Sequence, residues 1–437
     1  MQSETQRLRD LCSLIVDCPH STPVWTESGY IVIRNQNIKG GRLDLSSPSF
    51  TDAEHFALRI RRAKPTAGDI VFTREAPMGE VCMVPPKLEC CVGQRQVLLR
   101  PNPKVVDGRF LLYALQSPQV QHEISWSEGT GSTVSNVRIP VLEALRIPTP
   151  DLTTQREIGV VLGMLDDRID LLRQTNATLE SLAQALFKSW FIDFDPVRAM
   201  AEGREPDGMD AATAALFPTE LEESELGPVP KGWAVQPIGE LVDAVGGSTP
   251  DTKNEAFWEP AIHHWTSPKD LSGATAPVLL DTERKVSDVG LAKISSGLLP
   301  VGTLLMSSRA PIGYLSLSQV PVAINQGYIA MPPGGRLPPE YMYFWCQLNM
   351  DAIKGRANGS TFMEISKKAF RPIPALLPSP EVVNRFHDFA ITVFSRVTAN
   401  ERQARALAEL RDTLLPRLIS GRLQLQEVEA EGEEALA

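Results

Sequence analysis

The second half of this chain repeats the first, at an offset of 227–234 residues. Short motifs match in the same order along both halves. The matching pairs are Ser21-Thr22-Pro23 with Ser248-Thr249-Pro250, Gly68–Phe72 with Gly302–Met306, Ala76–Gly79 with Ala310–Gly313, and Gly131-Ser132-Thr133 with Gly359-Ser360-Thr361. Chance does not produce several matches in one order, so the sequence indicates a tandem duplication. Such a chain folds as two copies of one architecture.

The first part of each copy, residues 1–150 or 230–378, contains short runs of β-branched and apolar residues between Pro and Gly. Such runs are typical of strands bounded by turns. The clearest runs are Tyr30–Ile33, Asp69–Phe72, Val97–Leu99, Gly302–Met306 and Tyr328–Met331. We therefore predict two globules of mixed α/β structure, so that the fold class is α+β or mixed.

The second part of each copy has apolar residues at every seventh position, with a companion row four positions further on. So narrow a stripe over about five heptads is typical of a coiled coil. The seam residues are Ile158, Leu165, Leu172, Leu179 and Leu186 in the first copy, and Phe386, Val393, Asn400, Leu407 and Leu414 in the second. Thr154 and Glu157 fit a capping box at the start of the first helix. We predict two long spacer helices, 151–196 and 379–423, which pair as antiparallel neighbours and separate the globules with pseudo-twofold symmetry.

One asparagine lies in each apolar stripe, Asn176 in the first helix and Asn400 in the second. A buried polar residue in a seam lowers stability but fixes the register of the two helices. A partly exposed asparagine beside a helix kink is the alternative interpretation. The sequence leaves both open.

The chain carries 43 Lys+Arg against 53 Asp+Glu, a formal net charge of −10. The excess of acidic residues is concentrated in 201–226 and 427–437, and the rest of the chain is slightly basic. We predict an acidic linker over 197–229, because Pro196 ends the first long helix, and an acidic disordered tail over 424–437. A surface that binds nucleic acid must lie outside these stretches.

The sequence lacks the motifs of the common enzyme classes. No Gly-Lys dipeptide occurs, which excludes a Walker A loop, and the GxSxG and HExxH motifs are absent. Six cysteines without CxxC spacing, together with six dispersed histidines, predict neither disulfides nor a metal site. The N-terminus has no apolar signal segment and no window of about 18 residues is continuously apolar, so we expect a cytoplasmic protein without membrane contact.

One enzymatic alternative stays open. Asp251, Glu283 and Lys285 loosely fit the pattern of metal-dependent nucleases, in which carboxylates hold Mg²⁺ and a lysine assists the attacking water. The pattern is short, and Asp251 has no counterpart after the matching Pro23 of the first copy.

Polar and basic residues occupy loop-like positions at matching places in both copies. Arginine recognises guanine and Asn or Gln recognises adenine in the major groove, while Lys, Ser and Thr hold phosphates. The DNA-binding candidates are Arg34, Asn35, Gln36, Asn37, Arg61, Arg62, Arg74, Gln94, Arg95, Ser132 and Thr133 in the first copy, and Lys269, Ser308, Arg309, Asn325, Gln326, Arg356, Ser360, Thr361 and Lys367 in the second.

With these features the chain resembles the specificity subunits of type I restriction–modification systems. The resemblance covers nearly the whole chain. The motifs that carry it are Ala185–Val197 at the end of the first long helix, Leu414–Gly421 at the end of the second, Pro230–Trp233, Ser308–Gly313, and Gly-Ser-Thr in both copies. The loop Asn325-Gln326-Gly327 departs from its first-copy counterpart Gly93-Gln94-Arg95.

This resemblance implies a non-catalytic subunit with two target-recognition domains, each reading one half of a bipartite, asymmetric sequence in double-stranded DNA. It implies that the paired helices act as a ruler and as a docking surface for two modification (methyltransferase) subunits, which restriction subunits join. S-adenosylmethionine, ATP and Mg²⁺ would be used by those partners, and this chain would bind no cofactor. A protein-assembly scaffold that does not bind DNA is the other alternative, since the basic charge outside the acidic stretches is modest for a DNA-binding protein.

Overall fold

A computed structural model describes residues 4–126, 136–359 and 363–423 and divides the chain into two units. The first unit comprises Met1–Ile169 and Ala406–Ala437, and the second comprises Asp170–Arg405. The predicted acidic tail 424–437 lies outside the described residues, as do Ser132, Thr133, Ser360 and Thr361.

The first unit contains a four-stranded antiparallel sheet, in the order β2-β10-β7-β8, and a three-stranded sheet, in the order β6-β3-β9. The central strands are continuously apolar because both of their faces are buried: Val97, Leu98 and Leu99 are at most 1% exposed. The strands are β1 Thr5–Arg7, β2 Cys12–Asp17, β3 Tyr30–Ile33, β4 Ile38–Lys39, β5 Arg42–Leu43, β6 Phe50–Thr51, β7 Ile70–Thr73, β8 Val81–Met83, β9 Cys90–Val92, β10 Gln96–Pro101 and β11 Arg146–Pro148.

Helix α3 covers the four-stranded sheet with its apolar face, whereas Phe56 of α2 packs on Val32 and Cys91 of the three-stranded sheet. Phe110, Leu111, Ala114 and Leu115 of α3 are fully buried in the core with Ile70, Phe72 and Leu99. Asp107 caps α3 by accepting a 2.9 Å hydrogen bond from the Phe110 amide. The helices are α1 Leu8–Leu11, α2 Ala53–Arg59, α3 Gly108–Gln116, α4 Pro118–Trp126, α5 Ile139–Ala144 and α6 Leu152–Lys188, the last of which continues into the second unit.

The second unit also contains a four-stranded sheet and a three-stranded sheet. Its strands are β12 Leu221–Ser224, β13 Gly227–Pro230, β14 Ala234–Pro237, β15 His263–Thr266, β16 Val278–Leu279, β17 Arg284–Val286, β18 Leu304–Ser308, β19 Ile312–Ser318, β20 Val322–Ile324, β21 Tyr328–Met331 and β22 Pro374–Leu377. Its helices are α7 Asp195–Ala201, α8 Ala211–Ala214, α9 Ile238–Leu241, α10 Pro268–Leu271, α11 Asp288–Leu291, α12 Pro339–Leu348, α13 Met350–Gly355, α14 Lys367–Phe370 and α15 Pro380–Ile419, which re-enters the first unit.

Most strand pairings are the same in both units, although β2 lies antiparallel beside β10 whereas β16 lies parallel beside β19. Strand β18 lies antiparallel between β19 and β21, as β7 lies between β8 and β10. Strand β15 pairs antiparallel with β17 and parallel with β20, as β3 pairs with β6 and β9. The antiparallel pair β14–β22 likewise matches β1–β11. The predicted repeat of one mixed α/β domain is therefore confirmed.

The two long helices bury the predicted stripe. Six seam residues are buried and four are partly buried. The buried ones are Ile158, Leu172, Phe386, Val393, Asn400 and Leu414, and the partly buried ones are Leu165, Leu179, Leu186 and Leu407. In the second unit the two long helices run in opposite directions, because Asn176 contacts Asn400 while Phe187 contacts Phe386.

The ends of α6 differ from the sequence-based expectation. Asp151, rather than Thr154, caps the helix by accepting hydrogen bonds from the amides of Thr153 and Thr154 at 3.0 and 3.1 Å. At the other end, a π-helical turn over Ser189–Asp193 leads to Phe194, whose φ of 56° breaks the helix. Pro196 then lies in the first turn of α7, where the missing N–H of proline costs nothing, so it begins a helix rather than ending one.

The segment 197–229 contains folded elements as well as charge. It includes most of α7, the short helix α8 and the hairpin β12–β13. Val197, Phe217 and Val229 belong to the core of the second unit and are 0, 5 and 2% exposed. These folded elements were not predicted, because the composition of the segment is acidic and its apolar residues are too few to produce a periodic pattern.

Asn176 and Asn400 are buried opposite each other, each 2% exposed. Nδ2 of Asn400 donates a 2.8 Å hydrogen bond to Oδ1 of Asn176, whose own Nδ2 lies 3.5 Å from the Val397 carbonyl oxygen. Of the two interpretations of these asparagines, the structure supports the buried pair.

Asn176→Ala will lower the free energy of unfolding by about 1–3 kcal/mol, because Asn400 then keeps a buried amide without its acceptor. The double variant Asn176→Leu/Asn400→Leu will recover most of this loss, since neither polar group remains. Urea unfolding of both variants checks the prediction. Equal losses in the single and the double variant would contradict it.

Candidate nucleic-acid interface

A polar depression of about 430 Å³ opens on the surface of the first unit. Five of the predicted DNA-binding residues line it, although they come from two separate segments of the chain. The lining residues are Thr22, Pro23, Trp25, Arg34, Asn35, Gln36, Ala76, Gly93, Gln94 and Arg95.

The topology of the small sheet brings these segments together. Strands β3 and β9 are parallel neighbours with Ile33 opposite Val92, so the loops that follow them leave from the same edge. The amide of Gly93 donates a 2.8 Å hydrogen bond to the Ile33 carbonyl oxygen. A Cβ atom at Gly93 would lie 2.6 Å from that oxygen, so only glycine permits this approach of the two loops.

Hydrogen bonds between side chains fix the loops of the depression. Nε2 of Gln94 donates to the His20 carbonyl oxygen at 2.7 Å and to Oγ1 of Thr22 at 3.1 Å. Nε2 of Gln96 donates to Oδ1 of Asn35 at 3.1 Å. The Arg95 guanidinium pairs with the Glu75 carboxylate at 3.1 Å. The exposed donors and acceptors are thus presented from a fixed framework.

The second unit repeats the central contact. Strands β15 and β20 are parallel neighbours with Thr266 opposite Ile324, and the following loop contains Asn325 and Gln326. Oγ1 of Thr249 donates a 2.7 Å hydrogen bond to Oε1 of Gln326. In each unit, therefore, a glutamine after the parallel strand bonds the threonine of the repeated Ser-Thr-Pro motif.

An exposed tryptophan in the first unit escaped the sequence analysis. Trp25 is 45% exposed and lines the depression, and the Arg34 guanidinium lies 5.0 Å from its ring centroid. Its position two residues after the repeated Ser-Thr-Pro motif was the sequence signal that could have identified Trp25 as a candidate DNA-contacting residue. Because Trp25 has no matching tryptophan in the second copy, the comparison of repeats did not select it.

Three predicted DNA-contacting residues are buried in the structure. Asn37, Arg74 and Ser308 are 3, 8 and 2% exposed. Oδ1 of Asn37 accepts from the Arg34 amide, and Nη1 of Arg74 donates to both carboxylate oxygens of Asp17, at 2.7 and 2.8 Å. A buried cation must be paired, and the contact with Asp17 holds Arg74 in the fold.

The remaining candidates are on the surface but do not join one cluster. Arg62 donates to the Asp17 carbonyl oxygen at 3.3 Å, Lys269 pairs with Glu283 at 2.8 Å, and Arg309 lies 3.7 Å from Glu364. Arg61, Arg356 and Lys367 are exposed. These six side chains stay predicted phosphate or base contacts.

The residues of the nuclease alternative have different partners. Glu283 pairs with Lys269, Lys285 lies 3.8 Å from Asp281, and Oδ1 of Asp251 accepts a hydrogen bond from the Lys253 amide. Within residues 4–126, 136–359 and 363–423, no group of three or more His, Cys, Asp or Glu side chains could hold a metal ion.

Cys90 and Cys91 of the first unit are buried, which makes them poor nucleophiles. Burial raises the pKa of Cys90 to about 12 and that of Cys91 to about 11, so both thiols are protonated at neutral pH.

In the described part of the chain, no helix is both long enough and apolar enough to cross a membrane.

Comparison with known proteins agrees with a role in reading DNA sequence. A family model described as the type I restriction modification DNA specificity domain matches residues 3–181 and, a second time, residues 230–390. The chain belongs to this family and contains its domain twice. Its function is DNA sequence specificity in a type I restriction–modification system, and, as the family is non-catalytic, it is not an enzyme.

Individual relatives extend along most of the chain. It is 28% identical over 400 residues to the type I restriction enzyme HindI specificity subunit of Haemophilus influenzae, covering 82% of this chain and 86% of that one. It is 24% identical over 367 residues to the MjaIX specificity subunit of Methanocaldococcus jannaschii, covering 83 and 79%. The solved type I S subunit from M. genitalium shares the fold with a TM-score of 0.56 at 17% identity, over 95% of both chains.

Proposed function

We propose that each repeat reads one half of a bipartite, asymmetric sequence in double-stranded DNA. The observation that carries this proposal is the repeated contact between Gln94 and Thr22 and between Gln326 and Thr249. The same framework thus occurs twice, at the matching edge of the corresponding three-stranded sheet in each unit, with different residues around it. Arg95 follows the glutamine in the first repeat and Gly327 follows it in the second, so the two half-sites differ in sequence.

We also propose that the chain assembles with two modification subunits and with restriction subunits. The duplication supports two equivalent docking surfaces, and family membership supports a complex of this kind. In this proposal S-adenosylmethionine, ATP and Mg²⁺ are used by the partner subunits. The opposite directions of the two long helices in the second unit support an antiparallel coiled coil, with pseudo-twofold symmetry, that spaces the recognition domains.

Two measurements test DNA recognition. Methylation mapping of the source genome will yield a split motif with adenine methylation, which disappears when this chain is deleted. Binding of the purified complex to a duplex with that motif will weaken steeply with salt, by roughly 0.9 log unit per neutralised phosphate for each tenfold increase. A flat salt response without a split motif would favour an assembly scaffold that does not bind DNA.

The spacing function gives a separate prediction. One heptad inserted into each long helix beside the Asn176–Asn400 pair preserves the apolar register and lengthens both helices by about 10 Å. We expect the gap between the methylated half-sites to grow by about three base pairs, at about 3.4 Å each. The same insertion in α6 alone is the control, and it will disrupt helix pairing. If the gap stayed unchanged with both insertions, the proposal that the long helices set the distance between the half-sites would be wrong.

A further inference from the structure

Arg95 lies where the frameworks of the two repeats diverge. The hydrogen bond between Gln94 and Thr22 matches the one between Gln326 and Thr249, which aligns Arg95 with Gly327. The first repeat therefore presents a guanidinium at the rim of its depression where the second has no side chain. A difference at one position of a shared framework is suited to reading different bases.

The guanidinium of Arg95 is supported from one side. Its Nε lies 3.1 Å from Oε2 of Glu75, while Oε1 of Glu75 accepts a 2.8 Å hydrogen bond from Nδ2 of Asn136. Nδ2 of Asn35 also donates to the main-chain oxygen of Glu75. The Arg95 backbone is left-handed, with φ of 65°, a conformation that a residue other than glycine rarely adopts. Both the side chain and the backbone are thus set by their surroundings.

Because Glu75 contacts only Nε, the Nη1 and Nη2 groups of Arg95 remain available to bind a ligand. The Arg95 side chain is 54% exposed. No described residue accepts a hydrogen bond from its Nη1 or Nη2, so both nitrogens of the guanidinium fork are available to a ligand. Two adjacent acceptors match this fork, and in the major groove guanine alone presents them, as O6 and N7. Adenine and cytosine each place an amino donor there, and thymine offers one acceptor.

We propose that Arg95, positioned by Glu75, reads a guanine in the half-site of the first repeat, and that the second repeat makes no such contact because it has Gly327. This inference rests on the proposed function, in which each repeat reads one half-site. Arg95 is a specificity-determining residue in this proposal, and Glu75 is a positioning residue.

Methylation mapping with the assembled complex in its source cell tests the proposal. For Arg95→Ala we expect one guanine of one half-site to become degenerate, while the other half-site and the gap stay unchanged. Arg95→Lys keeps the charge but not the fork, so it will bind DNA well and lose the same preference. Arg9→Ala removes an exposed arginine of the same unit that neither lines the depression nor belongs to the DNA-binding candidates, and it will leave the motif unchanged.

Binding of purified complexes to duplexes in which this guanine is replaced, either by another base or by 7-deazaguanine, tests the contact directly. For the wild type, replacing this guanine by another base will weaken binding roughly 5- to 150-fold, and 7-deazaguanine, which lacks the N7 acceptor, will have part of that effect. For Arg95→Ala both changes will have almost no effect. Glu75→Gln will reduce the discrimination without abolishing binding.

The possible failures are distinct. If the wild type yields no split motif, the proposed function fails and this inference fails with it. If the wild type yields a split motif that Arg95→Ala leaves intact, only the inference is overturned. It is likewise overturned if the degenerate position is not guanine, or if 7-deazaguanine weakens wild-type and Arg95→Ala complexes equally.

Discussion

Asp166→Ala will destabilise the first unit by about 3–5 kcal/mol, because it removes the anion from a largely buried network of cations. Asp166 accepts hydrogen bonds from the Tyr113 hydroxyl at 2.6 Å, from Arg411 at 2.6 Å and from Arg42 at 3.0 Å. The Asp166 and Arg411 side chains are 18 and 19% exposed. Without the carboxylate, the charge of Arg411 remains buried and loses its strongest partner.

Asp167→Ala is the matched control for this prediction. Asp167 is the next residue of α6 and pairs with Arg109 at 2.8 Å, but its side chain is 62% exposed. Water and salt screen such a pair, so its loss will cost at most about 1 kcal/mol. Urea unfolding at pH 7, with hydrogen–deuterium exchange of α3 and α6, checks both variants. Similar losses for Asp166→Ala and Asp167→Ala would contradict the prediction.

The stabilisation by Asp166 will also depend on pH. Burial alone would raise the pKa of Asp166, but hydrogen bonds from Tyr113 and Arg411 outweigh burial and hold the pKa below its ordinary value. A carboxyl group whose pKa is lower in the folded state stabilises above its unfolded pKa of about 3.9. That stabilisation is lost as the pH falls through the folded pKa. The stability difference between wild type and Asp166→Asn will therefore shrink below about pH 4.

The parts of the fold that follow from local periodicity were predictable from the sequence. The seven-residue spacing located the buried stripe of both long helices, and β-branched runs located strands such as β3 and β21. Repetition also located part of the candidate site, since Gln94 and Gln326 occupy matching loops. These features depend on residues that are close in sequence or that occur twice.

Contacts between distant residues were not predictable. Arg74 was assigned to DNA because its side chain is basic, but Asp17, 57 residues away, holds it in the interior. Tyr343 donates a hydrogen bond to Glu180, 163 residues away, and neither residue was singled out by a motif. Residue type reveals the chemistry of a side chain, whereas only the tertiary fold decides whether that chemistry is used internally or offered to a ligand.

The end of α6 lies in a cluster of aromatic rings, at the motif Ala185–Val197 that first suggested the family. Phe187 is fully buried, and its ring centroid lies 4.8 Å from that of Tyr341, 4.9 Å from that of Phe191 and 5.4 Å from that of Phe386. The pairs with Tyr341 and Phe386 are edge-to-face, and each such pair adds about 0.5–1.5 kcal/mol to the stabilisation from buried area. The cluster joins α6, α12 and α15 of the second unit.

Phe187→Ala will therefore lower the stability of the second unit by about 3–5 kcal/mol, since it removes these contacts and leaves a cavity. Leu182→Ala, on the same helix, is the control: Leu182 is 59% exposed, and its truncation will change stability by roughly 0.5 kcal/mol or less. The loss of stability for Phe187→Leu will lie between those of Phe187→Ala and Leu182→Ala, because leucine fills part of the cavity. Urea unfolding monitored by tryptophan fluorescence checks the order, since Trp190 and Trp233 lie in the cluster. If Phe187→Ala were as stable as Leu182→Ala, the family motif would not act through packing, and its aromatic residues would need another explanation.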